Sequence, residues 1–287
     1  MRLPTGQNDS PCAHGTGQTA RAFSSGIPRI AGSGSGELRR VLKASHYSED
    51  MQTLPGKICL VTGATRGIGR ATAKILLERG AAVAICGRSQ HAVDEAVASL
   101  ARETGGKVAG KAADVKDHAQ VADLFRFVDA HFGGLDVLVN NAGVGRFSAI
   151  SVLSIQDWQD TIETNLYGVF FCTKEALVRF GTRGGGYIVN ISSLAGKNPF
   201  AGGAAYNASK FALTGFSEAV MLDSRNDNVR VSYIMPGSVA TEFSGTVSGQ
   251  DWKIWPEDVA EIVRMLLEMP GRTLISRVEV RPARPKR

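Results

Sequence analysis

From Pro55 onward the chain alternates short, continuous apolar runs with longer segments of helical periodicity, and this alternation constrains the fold more than any other feature. An apolar run without polar interruption suits a strand covered on both faces, as in a parallel sheet. The runs expected as strands are 57–61, 81–86, 107–113, 135–139, 187–191, 229–234 and 274–280. Helices are expected at 67–79, 89–103 and 117–132, as one long helix within 155–180, and at 205–224 and 256–269. Gly80, Gly105-Gly106, Gly133-Gly134 and Gly184-Gly185-Gly186 punctuate them as helix stops. Ser89 suits an N-cap, and Pro256 suits the first turn of the last helix. The pattern predicts an α/β fold: a single doubly wound, Rossmann-type domain with a seven-stranded parallel sheet and helices on both faces. A (β/α)₈ barrel fits less well, because only seven strands are counted.

Residues 1–53 differ from the rest. They carry Gly32-Ser33-Gly34-Ser35-Gly36 and scattered Arg, with almost no apolar periodicity, and are read as a flexible tail. Arg21, Arg29, Arg39 and Arg40 outnumber the acids there, so an organellar import segment is one reading; a linker or an upstream start is another. No apolar stretch follows Met1-Arg2-Leu3-Pro4, which argues against a secretory signal. The domain proper is taken as 54–287. The whole chain's 33 Lys+Arg against 27 Asp+Glu give a net charge of +6, but the basic residues are dispersed, so nucleic acid is not expected as a partner. No run of 18 apolar residues exists, so no membrane-spanning helix is expected. Cys12, Cys59, Cys86 and Cys172 are widely spaced with no CxxC pair. They read as small apolar residues in a reducing compartment, with a cytoplasmic location and no metal site.

In doubly wound sheets a ligand sits beyond the carboxyl ends of the strands. Strand one runs into Thr62-Gly63-Ala64-Thr65-Arg66-Gly67-Ile68-Gly69. Three glycines permit a tight strand-to-helix turn, and the helix behind it aims free N–H groups and its positive end at an anion. That context points to dinucleotide binding. An acid after strand two would hold the ribose hydroxyls and repel a 2′-phosphate. Cys86-Gly87-Arg88-Ser89 has none, and Arg88, with Arg66 as a second candidate, suits a 2′-phosphate instead. NADP(H) is therefore expected over NAD(H).

Tyr206 and Lys210 stand four apart and share one helix face. Ser193 follows strand five, 13 residues before Tyr206, and Asn165 is a polar residue inside an apolar helix. Together with the Gly63-x-x-x-Gly67-x-Gly69 spacing, these residues resemble the short-chain dehydrogenase/reductase family over 54–280.

The resemblance implies hydride transfer between a nicotinamide and a carbonyl or secondary alcohol, with Asn165, Ser193, Tyr206 and Lys210 as the catalytic set. A free phenol, with a pKa of about 10, is a poor base at neutral pH, and a nearby ammonium stabilises its phenolate. Tyr206 would act as general acid or base and Lys210 would tune it. Ser193, with Ser192 as fallback, would hold the carbonyl oxygen. Asn165 would hold a water in a relay to Lys210. The resemblance also implies that Asp114-Val115 border the adenine, that Asn140-Asn141-Ala142-Gly143 brace the sheet beside the cofactor, and that Pro236-Gly237 and Thr241 reach its nicotinamide side. The full expected cofactor set is Thr62, Gly63, Thr65, Arg66, Gly67, Ile68, Gly69, Arg88, Asp114, Val115, Asn141, Ala142, Gly143, Tyr206, Lys210, Pro236, Gly237, Val239 and Thr241.

The substrate is less defined. The segment from Thr241 to Pro256 is short and holds Phe243, Trp252 and Trp255, while Asn198-Pro199-Phe200 forms the facing wall. A small-molecule carbonyl or alcohol is expected, with a 3-oxoacyl group linked to a carrier protein or CoA and a small 3-hydroxy acid as equal rivals. A non-catalytic dinucleotide sensor is the alternative from another class. By resemblance, a homotetramer or homodimer is expected, joined through the helices that hold Asn165 and Tyr206.

Overall fold

Ile58–Val61 (β1) is buried at every residue and lies between two parallel neighbours, Ala82–Gly87 (β2) and Val137–Asn140 (β4). Leu60 faces Ala84 on one side and Leu138 on the other. The computed structural model describes residues 51–244 and 251–285. Val108–Ala112 (β3), Gly186–Ile191 (β5), Val229–Pro236 (β6) and Arg277–Val280 (β7) complete one sheet. The strand order is β3-β2-β1-β4-β5-β6-β7, and every neighbouring pair is parallel. The order reverses between β1 and β4, so a crevice opens there at the carboxyl ends of both strands.

Strand periodicity sends alternate residues to opposite faces. Cys59, Val61, Val83, Ile85, Val137 and Val139 belong to one core cluster. Helices Gly67–Glu78 (α1), Gln90–Thr104 (α2) and Pro256–Glu268 (α7) supply Leu76, Leu100 and Leu266 to it. Ile58, Leu60, Ala84 and Leu138 belong to the other cluster. His118–Phe132 (α3) and Gly168–Arg183 (α5) cover that face with Phe125 and Phe180. Ala204–Ser224 (α6) adds Val220 and Met221. The doubly wound expectation holds. Cys59, Cys86 and Cys172 are free and buried, as expected of small apolar residues, and burial pushes each thiol above its ordinary value. Cys12 and the tail assignment for residues 1–50 lie outside the described residues. No helix among the described residues is long and apolar enough to cross a membrane.

Local signals read correctly. The Ser89 side chain accepts a hydrogen bond from Ala92 N–H, and Pro256 opens α7. The long helix within 155–180 needs correction. It is Ile155–Ile162 (α4), then a π-turn at Glu163–Tyr167, then α5, which runs to Arg183. In the π-turn, Gly168 N–H bonds to the Glu163 carbonyl, one residue further back than in an α-helix. Helix α5 passes Phe180 because its stop is Gly184, whose φ of +75° suits glycine. Strand β7 begins three residues later than expected, since a turn with Thr273 N–H bonded to Pro270 O precedes it.

One polar pair sits inside the sheet. Asn140 and Asn190 are register partners on β4 and β5, both buried, and Asn140 Nδ2 donates to Asn190 Oδ1 at 2.9 Å. Asn190 Nδ2 donates onward to Ser217 on α6 at 2.9 Å. Removing one member leaves a buried donor without its acceptor, which costs about 1–3 kcal/mol. Asn190→Ala is therefore expected to lower unfolding free energy by that amount in urea titrations; an unchanged midpoint would show that the pair carries no net stability.

Candidate active site

The turns after β1 and β4 are locked together. Thr62 is buried, and its Oγ1 accepts from the Asn141 and Ala142 N–H groups, each at 3.0 Å. Asn141 Nδ2 returns bonds to the carbonyls of Thr62 and Gly63, at 2.8 and 3.0 Å. The loops pack so closely that a Cβ on Gly63, whose φ is +62°, would stand 2.8 Å from Ala142 Cα. On Gly69 it would stand 2.4 Å from Asn141 Nδ2 and 2.5 Å from Gly63 O. These two glycines are thus required by contacts within the protein itself.

A cleft of about 640 Å³ opens beside this joint. It is lined after β1 by Gly63 and Thr65 to Ile68, after β2 by Arg88, and after β3 by Asp114 and Val115. Asn141, Ala142 and Gly143 line it after β4, Ser192 and Ser193 after β5, Pro236 at the end of β6, and Gly237, Val239 and Thr241 after it. Tyr206 and Lys210 enter from α6. Of the residues expected at the site, Thr62, Gly69 and Asn165 stand behind this wall and support it.

Several features of the cleft fit an anionic dinucleotide. At the mouth of α1, Arg66 occupies the N-cap position without a side-chain cap bond, and no acid stands in the first turn. The helix end therefore presents its N–H groups to whatever lies in the cleft. Ser192, a cleft residue, has a buried Oγ with no hydrogen-bond partner among the described residues. Arg88 is exposed on the cleft wall and has no carboxylate partner among the described residues. Arg66 differs: its guanidinium bonds Glu242 at 2.6 Å across the cleft mouth. Asp114 Oδ1 accepts from Lys116 N–H at 3.1 Å and so caps its own turn.

The polar residues at the inner end converge. Lys210 is buried, and its Nζ donates to the Ile191 carbonyl at 3.0 Å and stands 5.7 Å from the Tyr206 ring centre. Loss of water lowers its pKa to about 8. Burial raises the Tyr206 phenol, and a hydrogen bond with Ser193 opposes that rise. Ser193 Oγ in turn accepts from Ala195 N–H at 3.1 Å. Asn165 lies in the π-turn, fully buried. Its Oδ1 accepts from Val144 N–H at 2.8 Å, and its Nδ2 donates to Val144 O at 2.9 Å and to Ser209 Oγ at 3.0 Å. Ser209 then donates to the Tyr206 carbonyl at 2.8 Å. Both side-chain N–H groups of Asn165 are therefore engaged by the protein.

Residues 57–252 match the short chain dehydrogenase family. The chain belongs to that family. Over 190 residues it is 36% identical to a 3alpha-hydroxysteroid dehydrogenase of Mediterraneibacter gnavus, covering 66% of this chain and 76% of that one. Over 235 residues it is 34% identical to the 3-oxoacyl-[acyl-carrier-protein] reductase of Synechocystis, covering 79% and 95%. A solved metagenomic short-chain oxidoreductase in complex with NADP superposes with a TM-score of 0.72 at 35% identity, covering 82% of this chain and all of that one. This short-chain dehydrogenase is thus an oxidoreductase of a dinucleotide-binding fold.

Two site residues escaped the sequence reading. Phe147, beyond the Asn-Asn-Ala-Gly turn, packs edge-on to Tyr206 with ring centres 5.4 Å apart. Glu242 holds Arg66. Their one sequence signal was position, each lying just past a strand's carboxyl end.

The Lys210 proton provides a test in the ligand-free protein. The folded chain releases it near pH 8 and an unburied lysine near 10.5, so between these values the unfolded chain binds more protons and stability rises with pH. Below pH 8 the cost of the buried ammonium is constant. The stability of the native chain minus that of Lys210→Met should grow by up to about 3 kcal/mol between pH 8 and 10.5. A pH-independent difference would mean that Lys210 remains hydrated.

Proposed function

We propose that this protein is an NADP(H)-dependent oxidoreductase acting on a carbonyl or the matching secondary alcohol. The observation that carries the reading is the convergence of Tyr206, Ser193 and Lys210 at the inner end of a cleft whose other end is the unpaired N-terminus of α1. A nicotinamide dinucleotide bound there would supply or accept the hydride.

In reduction, Tyr206 Oη gives its proton to the carbonyl oxygen; in oxidation it takes the alcohol proton. Ser193 Oγ holds that oxygen and, by its bond to Oη, favours the phenolate. Protonated Lys210 places a positive charge beside the ring in a site shielded from water, where such a charge acts strongly. Its bond to Ile191 O fixes the ammonium and leaves other N–H groups for a cofactor hydroxyl. Asn165 acts as a positioning residue, joining the loop after β4 to the backbone of Tyr206 through Ser209. A homo-oligomer through α5 and α6 belongs to the same reading, supported by the exposed Phe170, Val178, Phe211 and Leu222 on those helices.

Tyr206→Phe keeps the ring and removes the proton. It should cut kcat at least about a hundredfold, followed by the absorbance of the reduced nicotinamide, while the dinucleotide Kd stays within about twofold. Substantial residual turnover would overturn the role. For the cofactor, Arg88 stands on the cleft wall with no carboxylate partner among the described residues, while Arg66 bonds Glu242. Arg88→Asp should shift the kcat/KM ratio of NADPH to NADH by tenfold or more toward NADH; an unaltered ratio would remove Arg88 from cofactor selection.

A further inference from the structure

Three phenylalanines from three separate loops meet over Tyr206. Phe147 follows β4, Phe200 precedes α6, and Phe243 follows β6. Phe147 is 5.4 Å from the Tyr206 ring and 5.8 Å from Phe200, and Phe243 is 5.9 Å from Tyr206 and 6.4 Å from Phe147. All lie at the tilted or edge-on spacing that aromatic pairs prefer. Yet each phenylalanine is left 43–48% exposed, and none belongs to either core cluster. Apolar surface is thus left open beside the Tyr206 ring.

The loops that carry it are anchored. Ser148 and Gly203 form a parallel bridge, as do Val239 and Ile254. Asn207 Nδ2 donates to the Phe200 carbonyl at 3.0 Å. A Cβ on Gly145 would stand 2.6 Å from Phe147 and 2.9 Å from Phe243, so the turn is closely packed beneath both rings.

Among the described residues, three cations of the flanking segments stand in ion pairs. Arg146 pairs with Asp157, Lys197 with Glu279, and Arg66 with Glu242, at 3.3, 2.7 and 2.6 Å. An acidic carrier protein or a carboxylate substrate that met one of these three cations would compete with the carboxylate already bonded to it.

We infer that the substrate is an uncharged ketone, or the matching secondary alcohol, with a planar apolar ring attached to the reacting carbon, and that Phe147 and Phe243 select that ring. The inference rests on the proposed oxidoreductase reading and adds no reactant to it. The carbonyl carbon gains the hydride, the oxygen gains the Tyr206 proton, and the reduced nicotinamide is the electron donor. The ring extends the existing cluster by one more edge-on or offset contact, which an open-chain acyl group cannot do.

The test compares acetophenone, ethyl acetoacetate, acetoacetate and an acetoacetyl-pantetheine thioester as substrates with NADPH, using the wild type, Phe147→Ala and Phe243→Leu. Calorimetric titration of acetophenone into each protein adds a readout independent of turnover. Acetophenone should have the highest kcat/KM. Each variant should lower that preference over ethyl acetoacetate about three- to tenfold, mainly through KM, and weaken acetophenone binding by a similar factor. Higher kcat/KM for acetoacetate or the thioester, or a preference that both variants leave intact, would overturn the inference while leaving the oxidoreductase reading in place. Absence of turnover with all four compounds, but with binding of acetophenone that the variants weaken, would overturn the oxidoreductase reading and uphold ring recognition. Absence of both would overturn the inference as well.

Discussion

The hydrogen bonds between Thr62 and the Asn141-Ala142 turn hold the rest of the site in place. They join two strand ends at the point where the sheet changes direction, so both loops leave the joint in fixed directions. One loop carries the N-terminus of α1, and the other carries Gly143, Val144 and Phe147. Thr62 is buried, and its bonds are formed where water does not compete, so a substitution there would leave several polar groups unpaired at once. The glycines of the loop follow from the same joint, because no side chain fits between its two halves.

From that joint the polar network continues inward through Asn165. An amide in a π-turn reads both backbone groups of Val144 and reaches Ser209, which bonds the Tyr206 carbonyl. The phenol is therefore positioned from its backbone side by a chain that begins in a different loop. From its ring side it is positioned by Phe147 and Phe243. Lys210 is held by a β5 carbonyl. Burial makes its ammonium costly and also makes its charge effective, since the same loss of water lowers its pKa and weakens screening near the phenol.

Much of this was legible in the sequence because it is local. Ser89 caps its own helix, Pro256 opens α7, and Tyr206 and Lys210 share a face by the period of one helical turn. Apolar runs identified the central strands β1, β2, β4, β5 and β6, since a strand buried on both faces leaves a continuous record, while the half-buried edge strands β3 and β7 were marked by their place in the alternation. What failed depended on distant partners. The π-turn at Glu163–Tyr167 follows no local pattern; it brings Asn165 to Val144, and the next residue, Gly168, passes so close to Val115 that a Cβ would stand 2.7 Å from its side chain. Nor does any local spacing record the bond between Arg66 and Glu242, 176 residues later.

By itself, the sequence determined the alternation of strands and helices, the glycine turn, the family and the identity of the polar residues that meet at the cleft. The alternation and the glycine turn are properties of residues within one element or one turn of each other, where spacing alone sets geometry; the family and the polar set follow from resemblance to a motif order that runs from Gly63 to Lys210. Only the tertiary structure decided which cations remain unpaired, that the Asn165 amide is committed to the protein, and that three loop phenylalanines gather over Tyr206. Those outcomes depend on contacts between residues far apart in the chain, and such contacts exist only once the sheet has brought its loops to one edge.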